Sequence, residues 1–256
     1  MIIETHAHYD DEVFDADREI VLSSMCDNGI MYLVNVGASL ESTAASIKLA
    51  QQYSYIYAAA GVHPSHTDQL NEDNFEWLCE QCKKEKVVAV GEIGLDYHWE
   101  TPEKDVQKRW FGRQLDLARQ IKKPVIIHSR DAAKDTYDII TEKNAAQIGG
   151  VIHCYSYSVS MALDYVKMGF YIGIGGVVTF KNSKKVREVV KAVPIENIVL
   201  ETDSPYLAPE PHRGKRNTSL NLVHIAKEIA AIKMISYDDV VCITTKNART
   251  LYGIYQ

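Results

Sequence analysis

The sequence predicts an α/β protein, a (β/α)8 TIM barrel with an extra C-terminal helix, on three observations. Eight short apolar or β-branched runs recur along 256 residues, about 32 residues per run. The segments between them are long enough for helices, and several carry helical spacing. The runs are apolar throughout rather than alternating, as strands covered by helices on both faces are.

Ile2-Ile3 opens the first strand, and residues 31–36 and 55–62 supply the second and third. Residues 87–90 and 124–127 follow; Lys123-Pro124 opens the latter, because the residue before a proline is driven out of helical conformation. The last three runs are 150–152, 170–174 and 198–200, with Val193-Pro194 as a breaker ahead of the eighth. Between the fourth and fifth runs, Val106, Trp110, Leu117 and Ile121 step by four, seven and four and share one helix face. After the eighth, Tyr237, Val240, Val241, Thr244, Ala248 and Leu251 repeat at helical spacing and give the extra helix. No Gly-, Pro- or Ser-rich linker interrupts the chain, so residues 1–256 are expected to form a single barrel domain.

Composition narrows the functions. The net charge of −6 excludes a protein that coats nucleic acid through a basic surface, though not an enzyme that grips a few phosphates locally. Five scattered cysteines, Cys26, Cys79, Cys82, Cys154 and Cys242, do not form the dense even framework of a small secreted fold and point to a reducing compartment. The N-terminal residues turn polar almost at once, with neither signal nor transit character, and the uncharged stretch 144–163 is broken by Gln147, His153 and a series of serines and tyrosines. A cytoplasmic protein with no membrane partner is expected, and a monomer.

The chemistry sits at the strand ends. His6 and His8 follow the first run, His63 the third, Glu92 the fourth, His128 the fifth, His153 the sixth and Asp203 the eighth. These are the C-terminal ends, where barrel enzymes assemble their active sites, so residues whole units apart are expected at one mouth. Imidazole with carboxylate is the ligand set of zinc, manganese or iron. His6 and His8, at i and i+2 on a strand, point to the same side. So many ligands exceed the needs of one tetrahedral ion, whereas two ions sharing a carboxylate, roughly 3.5 to 4 Å apart, would use them and clamp the attacking and leaving oxygens of a phosphoryl hydrolysis.

Six stretches in order, Thr5-His6-Ala7-His8, Gly61-Val62-His63-Pro64, Gly91-Glu92-Ile93-Gly94-Leu95-Asp96, Ile127-His128-Ser129-Arg130, His153-Cys154-Tyr155-Ser156 and Glu201-Thr202-Asp203-Ser204-Pro205-Tyr206, resemble the signature of the TatD family of metal-dependent deoxyribonucleases. The likeness runs from residue 4 to about residue 219. It implies a hydrolase of phosphodiesters in DNA with two divalent ions, Mg, Mn or Zn. One ion would be held by His6, His8 and Asp203, the second by His128 and His153, with Glu92 bridging. His63 would face the scissile phosphate, and Asp203 would orient or deprotonate the water that attacks phosphorus in line. Two positions depart from the family pattern: Glu4 stands where Asp is usual, so that this acid becomes a candidate partner of the histidine pair, and Tyr157 stands where Gly is usual.

Arg130, at the fifth strand end, and Arg213 with Lys215, in the basic stretch after the eighth, are the expected substrate contacts, binding DNA locally through its phosphates. His66, His98 and His224 are read as surface or helix residues, Cys79 and Cys82 as a chance helical pair, and Gly173-Ile174-Gly175-Gly176 as a turn or tight-packing element. Two other functions compete: an amide, ester or aminoacyl-tRNA hydrolase on the same barrel, and a non-catalytic metal-dependent scaffold. Amide and ester hydrolases of this barrel type commonly bridge their ions with a carboxylated lysine at the fourth strand, where this chain has Glu92; a scaffold would not need Asp203.

Overall fold

The computed structural model describes residues 1–255. In chain order its elements are β1 (Ile2–Ala7), α1 (Arg18–Ser23), β2 (Ile30–Val36), α2 (Leu40–Gln52), β3 (Ile56–Ala60), α3 (Glu72–Cys82), β4 (Val87–Asp96) and α4 (Lys104–Ile121). They continue as β5 (Val125–Arg130), α5 (Ala133–Glu142), β6 (Gly150–Ile152), α6 (Val159–Lys167), β7 (Phe170–Ile174), α7 (Lys184–Ala192), β8 (Ile198–Leu200), α8 (Leu222–Lys233) and α9 (Tyr237–Tyr252). The eight described strands follow one another around the sheet in sequence order, the succession of a (β/α)8 barrel, and α9 is the extra helix. Three strands run on past their apolar runs, β5 among them, which continues through His128 and Ser129 to Arg130. β1 carries on through Glu4, Thr5 and His6, and β4 through Glu92 to Asp96, because these buried polar residues take hydrogen bonds inside the protein and need no apolar sequence to stay in the sheet. No helix among the described residues is long and apolar enough to cross a membrane.

The chain divides into two compact units, the first made of Met1–Asn35 and the chain from Cys154 onward, the second of Val36–His153. In the first unit β1 pairs in parallel with β2, and β7 with β8. Beyond β8 the chain stays beside β1, with Ala7 bridging to Ser204. α9 starts on a Ser236 cap, with Asp238 and Asp239 at the positive end of its dipole. It is tied to the strands by Asn247 Nδ2, which donates to the carbonyls of Ile195 and Ile198, and by the Tyr252 hydroxyl, which donates to Thr5 O at 3.0 Å. Two of the glycines at the end of β7 serve packing: a Cβ on Gly173 would lie 2.5 Å from Oε2 of Glu201, and one on Gly176 2.1 Å from the carbonyl oxygen of Leu207.

In the second unit β3, β4, β5 and β6 pair in parallel in that order. α4 buries Trp110, Phe111, Leu115 and Leu117 with two glutamines among them. Gln107 accepts from Asp96 N at 2.9 Å and donates to Asp96 O at 3.0 Å, and Gln114 does the same with Val62, at 2.8 and 3.1 Å. Each side-chain amide therefore completes a strand end as a neighbouring peptide would. Lys123 Nζ donates to the carbonyls of Cys82, Lys84 and Val87, and Lys86 Nζ to those of Tyr53, Ser54 and Ile56, so three ammonium protons each satisfy chain ends. All five cysteines are free, Cys79 and Cys82 among them.

Candidate metal centre

In the first unit the i, i+2 spacing on β1 puts the Nε2 atoms of His6 and His8 3.0 Å apart. Asp203 Oδ1 lies 3.7 Å from the first and 3.5 Å from the second. Ligand atoms about 2.0–2.1 Å from a tetrahedral ion lie roughly 3.3–3.4 Å from each other, so this triad has the spacing of a cation's coordination shell. The two nitrogens can share one proton in a hydrogen bond, and with both unprotonated they and the carboxylate oxygen present lone pairs to a single cation. The main chain builds the triad: Asp203 N donates to His6 O at 3.0 Å, and His8 N to Ser204 O at 2.7 Å. Asp203 itself adopts φ +57°, an uncommon conformation for a side chain other than Asn or Asp, and so turns its carboxylate back onto β1.

Glu4 braces this arrangement from behind. Fully buried, it accepts at Oε1 from the N–H groups of His6 (3.1 Å) and Thr202 (2.9 Å), and at Oε2 from the Thr202 hydroxyl (2.6 Å). The Thr202 oxygen is in turn 2.6 Å from Ser204 Oγ, so the residues on both sides of Asp203 belong to one hydrogen-bonded chain. Burial pushes the Glu4 carboxyl up to about 7, against the opposing pull of the hydrogen bonds from Thr202 and His6. The expected partnership of Glu4 with the histidine pair is thus made through the backbone of His6.

In the second unit Glu92 Oε1 is the hub. His128 Nδ1 lies 2.8 Å from it, His153 Nε2 3.8 Å and His63 Nε2 3.9 Å. The register of β4 on β5 explains the closest contact. Gly94 pairs with His128, and Glu92 and Asp96, two residues to either side on the same face, flank the imidazole. Gly94 has φ +145°, and a Cβ there would sit 1.9 Å from His128 O, so no other residue lets β5 approach. His128 Nε2 lies 3.1 Å from Asp96 Oδ2. Burial alone would lower the His128 pKa, but the hydrogen bonds to Asp96 and Glu92 outweigh it and raise it. In the charged form this favours, the ring donates from both nitrogens; loss of the Nδ1 proton, with Nε2 still donating to Asp96, would free Nδ1 as a ligand beside Glu92, the arrangement in which a carboxylate fixes the tautomer of a metal-binding histidine.

His63 differs. It caps the short 3-10 turn Pro64–Gln69, and its Nδ1 accepts from Ser65 N at 3.2 Å with the Ser65 hydroxyl 2.7 Å away. A neutral ring with Nδ1 accepting carries its proton on Nε2, which makes that nitrogen a donor rather than a metal ligand. Burial, reinforced by the neighbouring His128, pushes the His63 pKa down to about 3, so the ring is neutral near pH 7. His63 therefore caps the turn through Nδ1 and keeps Nε2 on the side of Glu92.

The structure thus gathers His6, His8 and Asp203 in one unit, and His63, Glu92, His128 and His153 in the other. Both sets offer the mixed nitrogen and oxygen donors that suit a divalent ion. Arg130 ends β5 exposed to solvent. Arg213 lies with its guanidinium 4.5 Å over the Phe180 ring, and Lys215 is exposed. Arg216, by contrast, is committed to the fold through Asp17 and Val13 O. Sequence reasoning gave no role to Asp96, although its i+4 spacing from Glu92 on a strand places both on one face. It also missed Gln107, Gln114 and Ser65, whose types and positions carry no signal of their own.

The sequence family described as TatD related DNase matches residues 3–253. The chain is 41% identical to an uncharacterized metal-dependent hydrolase, YabD, of Bacillus subtilis, over 99% of this chain and 100% of that one. It is 34% identical to the uncharacterized metal-dependent hydrolase YcfH of Escherichia coli K12, over 99% and 96%. Its fold superposes on the crystal structure of YjjV, a TatD homolog from E. coli K12, with a TM-score of 0.90 and 28% identity, covering 99% of this chain and 98% of the other.

Proposed function

The chain belongs to the TatD family of metal-dependent hydrolases, and from that premise we propose that it hydrolyses phosphodiester bonds in DNA with the help of two divalent ions, Mg, Mn or Zn. The observation that carries this reading is that each unit holds its own set of nitrogen and oxygen donors, His6, His8 and Asp203 in one and Glu92 with its histidines in the other, where His63 also offers a neutral Nε2–H. His6, His8 and Asp203 would hold one ion, and His128 and His153 the other, with Glu92 as the shared carboxylate. Such ions supply positive charge that polarises a phosphoryl group and makes water more acidic.

The side chains divide the remaining work. Asp203, half-buried at the end of β1 and β8, takes the proton of the attacking water and orients it. His63 donates from Nε2 to a phosphoryl oxygen, where charge develops as the water adds. Asp96 keeps the His128 ring in the tautomer that presents Nδ1. Arg130, Arg213 and Lys215 neutralise neighbouring phosphates, which a chain of net charge −6 must do locally. Glu92 at β4, in place of a lysine, favours this over amide or ester hydrolysis. Five free cysteines accord with action in the cytoplasm, and we take the active form to be a monomer.

The decisive experiment incubates metal-loaded protein with end-labelled single- and double-stranded DNA and RNA and resolves the products by length, before and after chelation. Cleavage of DNA that disappears with chelator and returns to different extents with Mg, Mn or Zn is expected. Undiminished cleavage in excess chelator, with metal analysis finding none bound, removes the two-metal reading.

A further inference from the structure

Tyr206 follows Asp203 by three residues, in a turn closed by its own N–H, which donates to Asp203 O at 2.8 Å. It is 52% exposed, and Leu207 beside it 40%, two large apolar side chains left open next to a polar triad. The Tyr206 ring centroid is 6.3 Å from that of His8, with the planes tilted by 59°. The ring is held in place. Its hydroxyl donates to Asp11 Oδ2 at 2.7 Å. Its carbonyl accepts from Asn217 Nδ2 at 2.8 Å, and the same amide donates to Thr202 O at 2.9 Å, tying the turn to the backbone beside Asp203. Asn217 is itself buried.

An aromatic side chain fixed at its polar tip, with its apolar body exposed, leaves hydrophobic surface for a planar guest at little further entropic cost. Because the phosphate being cut would lie at the His8 and Asp203 ligands, the guest next to the ring is whatever the phosphate carries. We propose that Tyr206 is the platform on which the nucleobase adjoining the scissile phosphate stacks, with Leu207 against its edge. This rests on the phosphodiesterase reading above. Every base has a π-face, so the contact carries little base preference. A base stacked here has left its duplex partner, so single strands and frayed ends are favoured over intact duplex.

The test uses two fluorescently labelled single-stranded oligonucleotides of equal length, one with all its bases and one abasic. Binding to the metal-free protein is followed by anisotropy, and kcat and KM of the metal-loaded protein are measured alongside. The parent is expected to bind the base-containing strand roughly five- to a hundredfold more tightly than the abasic one, the range for one base stacked on an aromatic ring. In Tyr206→Ala that ratio falls towards one and the loss shows in KM more than in kcat. Tyr206→Phe, which keeps the face and loses the Asp11 anchor, retains most of the ratio. If parent and Tyr206→Ala prefer the base-containing strand equally while the parent still cleaves DNA, the platform is wrong and the nuclease reading stands. A parent that neither binds nor cleaves either strand removes both.

Discussion

Nε2 of His128 lies 3.1 Å from Oδ2 of Asp96, and Oδ1 of the same carboxylate accepts from His98 N at 2.9 Å. Asp96 is therefore anchored before it meets the imidazole, and the imidazole is aimed before it meets a ligand. Burial raises the Asp96 pKa, but the His128 hydrogen bond and charge overcome it and hold the carboxyl below the usual range.

Asp96→Asn keeps the shape but turns a strong acceptor into an amide that can present N–H to Nε2, which favours the wrong tautomer of His128. Removing such an outer partner costs about ten- to a hundredfold in metal affinity. Titration of the metal-free variant, with bound metal counted by elemental analysis, should show that weakening at one ion only. Unchanged affinity for both ions would leave Asp96 a merely structural residue.

The proposed mechanism gives Asp203 two roles, which one substitution separates. Asp203→Asn keeps a ligand oxygen and loses the proton acceptor, so the variant should fold and bind metal less tightly. At saturating metal it should still lose at least about 10² in kcat, the lower end of what general-base assistance supplies. Recovery of the parent rate at high metal would make Asp203 a ligand alone.

Glu4 gives the metal-free protein a measurable pH signature. Its folded pKa, about 7, lies above the ordinary 4.5, so the folded state holds a proton that the unfolded state releases between these values. Its contribution to stability is complete below pH 4.5 and is lost as pH rises towards 7, at about 1.4 kcal/mol per pH unit. His63, pushed down to about 3, acts with the opposite sign below pH 6.5. Subtracting the denaturation curves of Glu4→Gln from those of the parent isolates the glutamate: the parent should lose ground to the variant as pH rises through that window. Parallel curves would show that Glu4 stays ionised in the fold.

Arg213 and Lys215 are exposed cations of a chain whose net charge is −6. Replacing both by Ala should weaken DNA binding and flatten its dependence on salt by about two charges' worth of slope. The loss should be larger on DNA than on a small phosphodiester. Equal losses on both substrates would show that the loop shapes the catalytic centre instead.

Strands and candidate site residues were legible for one reason: a His, Glu or Asp that ends an apolar run must be fixed by something other than hydrophobic burial. That rule finds His6, His8, His63, Glu92, His128, His153 and Asp203 without any coordinates. It fails where a polar residue continues the strand, which is why β4 extends to Asp96 beyond its apolar run at 87–90. The divided duty of His63 was hidden too, because it depends on a backbone N–H two residues on, and an N–H is common to every residue but proline. Gln107 and Gln114 look like the polar side of an amphipathic helix until the strand ends they satisfy are seen.

Those two glutamines make α4 a measuring rod. Seven residues apart, they stand almost two full turns from each other, on one stripe and about 10.5 Å apart along the axis. The two peptides they serve, at Val62 beside His63 and at Asp96 beyond Glu92, are thereby held at a fixed spacing. A residue inserted between 107 and 114 would swing one amide by about 100° and strand a buried peptide, whereas the connection 97–103 has no such interval to keep. In a lineage of such chains, that connection is free to grow or shrink, while the interval inside the helix should be found at one length.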